Sequence, residues 1–128
     1  MNQYNKVKGG KMKKILYIED NQDTADAVKM MLKNAGYDIT TENSGKKGLA
    51  LKQDFDLYLL DIMLPDMSGW DIFETLQKKG IKAKYAFLSA IPVSSERMVE
   101  LKKAGVSEYI TKPFSKKDLV ERVSKMIG

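Results

Sequence analysis

Phe55-Asp56-Leu57-Tyr58-Leu59-Leu60-Asp61, residues 55–61, is an apolar run that stops on a bare carboxylate. A buried strand gains nothing in stability by ending on an acid, so Asp61 asks for a use. The pattern recurs on both sides of it. Ile15-Leu16-Tyr17-Ile18 stops at Glu19-Asp20, Tyr85-Ala86-Phe87-Leu88 stops at Ser89, and Glu108-Tyr109-Ile110 leads to Lys112-Pro113. Apolar runs ending on polar residues are how parallel α/β sheets place chemistry at the carboxyl ends of their strands.

Between these runs the apolar residues change to helical spacing. Ala25, Val28, Leu32 and Ala35 form a stripe that closes at Gly36, as a helix does before a C′ glycine. Tyr37–Thr41 reads as a second strand, and Ser44 as the cap of a short helix carrying Leu49 and Ala50. After Asp61, Pro65 and Gly69 forbid continuation of the strand, and Ser68 opens a helix with Ile72, Phe73 and Leu76, ending near Gly80. Ser94 or Ser95 caps a helix bearing Met98, Val99 and Leu101 and closing at Gly105. Ser115 opens a last helix with Leu119, Val123 and Ile127 on its buried stripe. The order is (βα)5, and right-handed crossovers then put helices on both faces of a parallel sheet.

At 128 residues this is one domain, large enough to fold without metal or disulfide staples. With neither cysteine nor histidine, thiolate sites, disulfides, imidazole catalysis and His-ligated zinc are excluded. Chemistry must run on carboxylates, hydroxyls and lysines. No apolar stretch approaches the roughly 20 residues of a membrane span and no signal-peptide core is present, so the expectation is a cytoplasmic protein with no membrane partner.

The net charge of +5 sits in one place. Lys6, Lys8, Lys11, Lys13 and Lys14 account for it; the 22 basic residues less these five equal the 17 acids. Residues 1–11 are therefore expected to be a disordered or appended basic tail ahead of a domain at 12–128, and direct nucleic-acid binding is not expected.

Glu19, Asp20 and Asp61 end the first and third strands, which are neighbours in the commonest five-stranded doubly wound order. Two like charges about 4 Å apart repel by roughly 4 kcal/mol at an effective dielectric of about 20, so the acids need a counter-ion. Lys112 and a divalent cation are the candidates. Mg2+ suits carboxylate and carbonyl oxygens and usually completes its shell with a phosphate. Taken singly, each residue also has an ordinary reading as a turn or strand end. Four strands ending in acids, a hydroxyl and a lysine on one side do not.

That ordered set resembles the receiver domains of response regulators in two-component phosphorelays, from about Met12 to Ile127. The resemblance implies a flavodoxin-like strand order 2-1-3-4-5 and makes Asp61 the acceptor of a phosphoryl group from a phosphohistidine on a sensor histidine kinase or phosphotransfer domain. Mg2+ is implied at Glu19, Asp20, Asp61 and the backbone carbonyl of Met63. Ser89 and Lys112 are implied as partners of the phosphoryl oxygens, and Lys112-Pro113 as a cis peptide. Tyr109 is implied as a switch residue whose ring fills space vacated by Ser89. The readout surface, for a downstream protein target or a phosphorylation-dependent homodimer, is then the fourth helix, fifth strand and fifth helix.

Such a domain catalyses its own aspartyl phosphorylation and dephosphorylation. Met63 and Ile91 stand at the two positions that flank the hydrolytic water in this family. Apolar residues there imply slow loss of the phosphoryl group. Ser89 stands where threonine is commoner, which keeps the hydroxyl. A haloacid-dehalogenase-type phosphatase needs a second acid two residues after the nucleophile, where this chain has Met63. A flavodoxin needs a hydroxyl- and glycine-rich phosphate loop where this chain has Glu19-Asp20. A phosphorylation-independent interaction module on the same fold, or a receiver piece of a larger hybrid kinase, are the remaining alternatives.

Overall fold

A computed structural model of the chain describes residues 12–128. The basic tail expected over residues 1–11 lies outside the described residues. Ten elements alternate: β1 (Lys14–Ile18), α1 (Gln22–Asn34), β2 (Asp38–Glu42), α2 (Gly45–Ala50), β3 (Leu57–Leu60), α3 (Gly69–Lys78), β4 (Lys84–Ser89), α4 (Ser95–Ala104), β5 (Val106–Thr111) and α5 (Lys116–Ile127). The strands form one parallel sheet in the order β2-β1-β3-β4-β5, as expected.

The strands alternate between two cores. Ile15, Tyr17, Leu57, Leu59, Ala86, Leu88 and Ile110 meet Val28 and Leu32 of α1 and Leu119 and Val123 of α5. Their neighbours Leu16, Ile18, Tyr58, Leu60, Tyr85, Phe87 and Tyr109 meet Ile72, Phe73 and Leu76 of α3 and Leu101 of α4. A two-residue side-chain period read on a sheet covered on both faces produces this division. It also puts Tyr17 and Glu19 on one face, and Phe87, Ser89 and Tyr109 on the other.

Each helix starts at a side chain that accepts from the third residue on: Asn21 from Thr24 N, Ser44 from Lys47 N, Ser68 from Asp71 N, Ser94 from Arg97 N and Ser115 from Asp118 N. Such a cap contributes about 0.5–2 kcal/mol. It also sets where the helix begins relative to the strand before it. Gly36 and Gly105, at φ 102° and 113°, turn the chain out of α1 and α4 in a region that a side chain disfavours.

Some boundaries depart from the expectation. β5 starts at Val106, two residues before Glu108, because pairing with β4 continues through Val106 across a register shift between Tyr85 and Ala86. Phe55 is buried but outside the third-strand ladder, which starts at Leu57. Asp56 marks that entrance, its carboxylate accepting from Lys14 N at 2.8 Å. Val99 is 54% exposed, so α4 presents a narrow stripe, with Leu101 buried and Met98 packed at the core edge. No described helix is long and apolar enough to cross a membrane.

Leu59, in the middle of the central strand, is fully buried. Leu59→Ala should lower unfolding free energy by about 2–5 kcal/mol, the usual range for a leucine cavity, read from urea midpoints at constant slope.

Candidate functional site

The carboxyl ends of β1 and β3 are joined by the main-chain bond from Asp61 N to Ile18 O at 3.1 Å, and the end of β1 is tied to β2 by that from Glu19 N to Glu42 O at 2.9 Å. Glu19 and Asp61 are consequently buried, at 2% and 8% exposure, while Asp20 is exposed. One carboxylate oxygen from each of the three lies within 4.8 Å of the others. From the end of β5, the Lys112 ammonium donates to Glu19 Oε1 and stands 3.4 Å from Asp61 Oδ2. Lys112-Pro113 is cis, and Lys112 N donates to Ser89 O at 2.8 Å, joining the ends of β4 and β5. The sequence-predicted acids and lysine therefore meet in one pocket.

Glu19 is the better satisfied of the buried pair. Besides Lys112 it accepts from Tyr17 Oη at 2.8 Å and Asn21 N at 3.2 Å. Burial by itself raises its pKa, but the bonds from Lys112 and Tyr17 outweigh burial and hold the carboxyl below its ordinary value. Asp61 accepts from its neighbour Ile62 N at 2.7 Å. Burial first, then the adjacent Glu19 carboxylate, lift Asp61 above its ordinary value against the pull of Lys112. Tyr17 has no role in the sequence reading. Its position two residues before Glu19 on one strand was the signal, since residues i and i+2 share a face.

The loop after β3 returns sharply to the strand end. Gly69 N donates to Ile62 O at 2.8 Å, and Met63 and Ser68 face each other in an isolated antiparallel bridge. A Cβ at Gly69 would strike the Asp61 main-chain carbonyl, so this close approach requires glycine. Met63 (70% exposed) and Ile91 (37%) present their side chains to solvent in the loops after β3 and β4.

Ser89 is buried and its Oγ accepts from Ile91 N at 3.2 Å. Tyr109 is also buried, beside Phe87 with ring centroids 6.2 Å apart, and its hydroxyl donates to the Ile91 carbonyl. Ser89 and Tyr109 thus hold the same residue of the β4–α4 loop, one through its amide and the other through its carbonyl. The tyrosine ring already lies inward in this structure. Trp70, another residue without a sequence-derived role, packs on Phe87 at 4.2 Å and lies under the Arg97 guanidinium of α4 at 5.3 Å.

The two buried acids affect stability in opposite senses. Glu19, held low, favours the fold above the ordinary carboxylate range and loses that contribution as pH falls through its lowered folded value. Asp61, held high, opposes the fold at neutral pH, and the penalty disappears as pH falls through its raised value toward the ordinary range. In chelator, Asp61→Asn should have a higher urea midpoint than the wild type at pH 7, the gap closing toward about pH 4. An equal or lower midpoint at pH 7 would mean that Lys112 already offsets the repulsion.

A family model described as the response regulator receiver domain matches residues 15–124. The chain is 37% identical over 118 residues to the cell cycle transcriptional regulator CtrA of Caulobacter vibrioides, covering 89% of this chain and 50% of that protein. It thus spans about half the length of the curated relatives it matches. A CheY-like receiver domain protein from Methanospirillum hungatei superposes with a TM-score of 0.81 at 31% identity, over 91% of this chain and 94% of that one. The receiver domain of Francisella response regulator 1452 gives 0.82 at 32%, over 90% and 96%. A parallel sheet in the order 2-1-3-4-5, an acidic cluster with a lysine at its carboxyl edge, and these matches together place the chain in the family of two-component response-regulator receiver domains.

Proposed function

We propose that Asp61 is the phosphoacceptor of this receiver domain, taking a phosphoryl group from a phosphohistidine on a sensor histidine kinase or phosphotransfer domain. The observation that carries the reading is the pocket itself: a buried aspartate within 4.8 Å of two further carboxylates, with one lysine reaching both buried acids. Hard oxygen donors in that arrangement suit Mg2+, and Glu19, Asp20, Asp61 and the Met63 carbonyl are the residues that would hold it. When bound, Mg2+ supplies positive charge that keeps the acids ionised together and offsets charge on a transferring phosphoryl group.

The chain's own residues do the rest. An Asp61 Oδ attacks phosphorus as the P–N bond of the donor breaks, the bonding pair leaving with the imidazole. Lys112, already between Glu19 and Asp61, pairs with a phosphoryl oxygen. Ser89 Oγ accepts from Ile91 N, so its own proton is available to another phosphoryl oxygen. If Ser89 turns toward that oxygen, its bond to Ile91 weakens, and the loop that Tyr109 also grips is freed to settle in a second arrangement. The readout surface is the α4-β5-α5 face. There Arg122 reaches Glu108 at 3.0 Å, Asp118 at 3.2 Å and the Tyr109 carbonyl at 3.4 Å, tying the face to the switch residue. A downstream protein or a second phosphorylated copy would bind it.

Incubation with Mg2+ and acetyl phosphate should add one phosphoryl mass to the intact protein and none to Asp61→Asn. No adduct on the wild type, or an equal one on the variant, would sink the assignment. The phosphorylated form should decay slowly after donor removal, because the apolar side chains of Met63 and Ile91 offer a water no acid or base to orient it. Met63→Asn with Ile91→Glu should shorten its lifetime by roughly 100-fold, the low end of what positioned acid–base groups contribute. A wild-type lifetime of seconds that the double variant leaves unchanged would refute this.

A further inference from the structure

Asp66 projects from the β3–α3 loop onto a different element. Its Oδ1 accepts from Gly45 N at 2.9 Å and its Oδ2 from Lys46 N at 2.7 Å, the first two amides of α2. Those amides are left without partners by a helix start, and the helix's own cap, Ser44, serves only Lys47 N. The N-terminus of α2 is therefore satisfied from two sources, one local and one twenty residues away in the chain. Beside this contact, Met67 fills the place where a Cβ on Gly45 would stand, so the loop and helix also touch through apolar atoms.

The same loop is fastened at its two ends. Gly69 N bonds Ile62 O, Gly69 backs onto the Asp61 carbonyl, and Met63 and Ser68 face each other across the bridge between. Residues 64–67 form the tip of this hairpin-like excursion, and Asp66 is its charged attachment to the body of the domain. The Met63 carbonyl lies on this loop, between the strand end at Asp61 and the tip that Asp66 fastens. Its direction is set by the path of the loop.

We infer that Asp66 is a positioning residue for the cation pocket: by clamping the β3–α3 loop to the two leading amides of α2, it holds the Met63 carbonyl in line with the Glu19, Asp20 and Asp61 carboxylates. The inference rests on the Mg2+ reading of that pocket and assigns a determinant of its affinity outside the ligand set. Groups that orient a ligand characteristically change metal affinity by about 10–100-fold when removed.

Titration calorimetry with Mg2+ alone, at fixed salt, tests it on the full chain. Asp66→Ala should weaken binding about tenfold. Asp66→Asn keeps one acceptor oxygen while losing the charge, and should lie between that variant and the wild type. Ser44→Ala removes the local cap of the same helix without touching the loop, and should lower the melting temperature while leaving Mg2+ affinity unchanged. Equal losses in the Ala and Asn variants would mark a long-range charge effect, and an equal loss in Ser44→Ala would mark a simple stability effect; either overturns the clamp. Wild type that binds while Asp66→Ala binds as tightly overturns it alone. Wild type that takes up no Mg2+ overturns the functional reading together with it.

Discussion

Two like carboxylates buried side by side, Glu19 and Asp61, with one lysine ammonium between them, form the constraint around which the molecule is arranged. Ionised, the pair is costly in a low-dielectric interior, and the surrounding structure distributes that cost unequally. Glu19 collects Lys112, Tyr17 Oη and the Asn21 amide and stays charged below its ordinary pKa. Asp61 keeps one amide and a long contact to the lysine and is lifted instead. The acid left less satisfied is the one whose chemistry the proposed function needs.

The attachments around that pair lead away from it in separate directions. Toward α2, the β3–α3 loop is secured by Gly69 against the Asp61 carbonyl and by Asp66 on the amides of Gly45 and Lys46. Toward α4, Ser89 and Tyr109 converge on the main chain of Ile91, while Trp70 packs on Phe87 beneath Arg97. α4 fully buries Leu101 and packs Met98 at the edge of the same core.

Much of this was legible in the chain. The periods of two and 3.6 separate strands from helices, the serine caps stand where α2 to α5 begin, and Gly36, Gly80 and Gly105 stand where three helices end, while the Asn21 cap of α1 emerges only in the structure. Glu19, Asp20, Asp61, Ser89 and Lys112 stand out because each ends or follows an apolar run, whereas Tyr109 lies inside one and is singled out only by the family resemblance. Val99 was misplaced because spacing identifies a stripe but not its width, and β5 was drawn short because Ser107 and Glu108 interrupt its apolar signal. Asp66, Tyr17 and Trp70 went unread since each works through a partner distant in sequence or through a neighbour whose own role had to be known first.

The sequence by itself determined the alternation of elements, the ends at which polar groups collect and the absence of any thiol or imidazole chemistry. These are properties of local order, carried by side-chain period, capping and composition. Which acid is held below its ordinary pKa and which is lifted above it, which amides a loop aspartate finds, and that one loop residue is gripped by both a serine and a tyrosine were decided only by the tertiary structure. Burial and hydrogen-bond partners set those energies, and neither exists until strands separated by dozens of residues lie side by side.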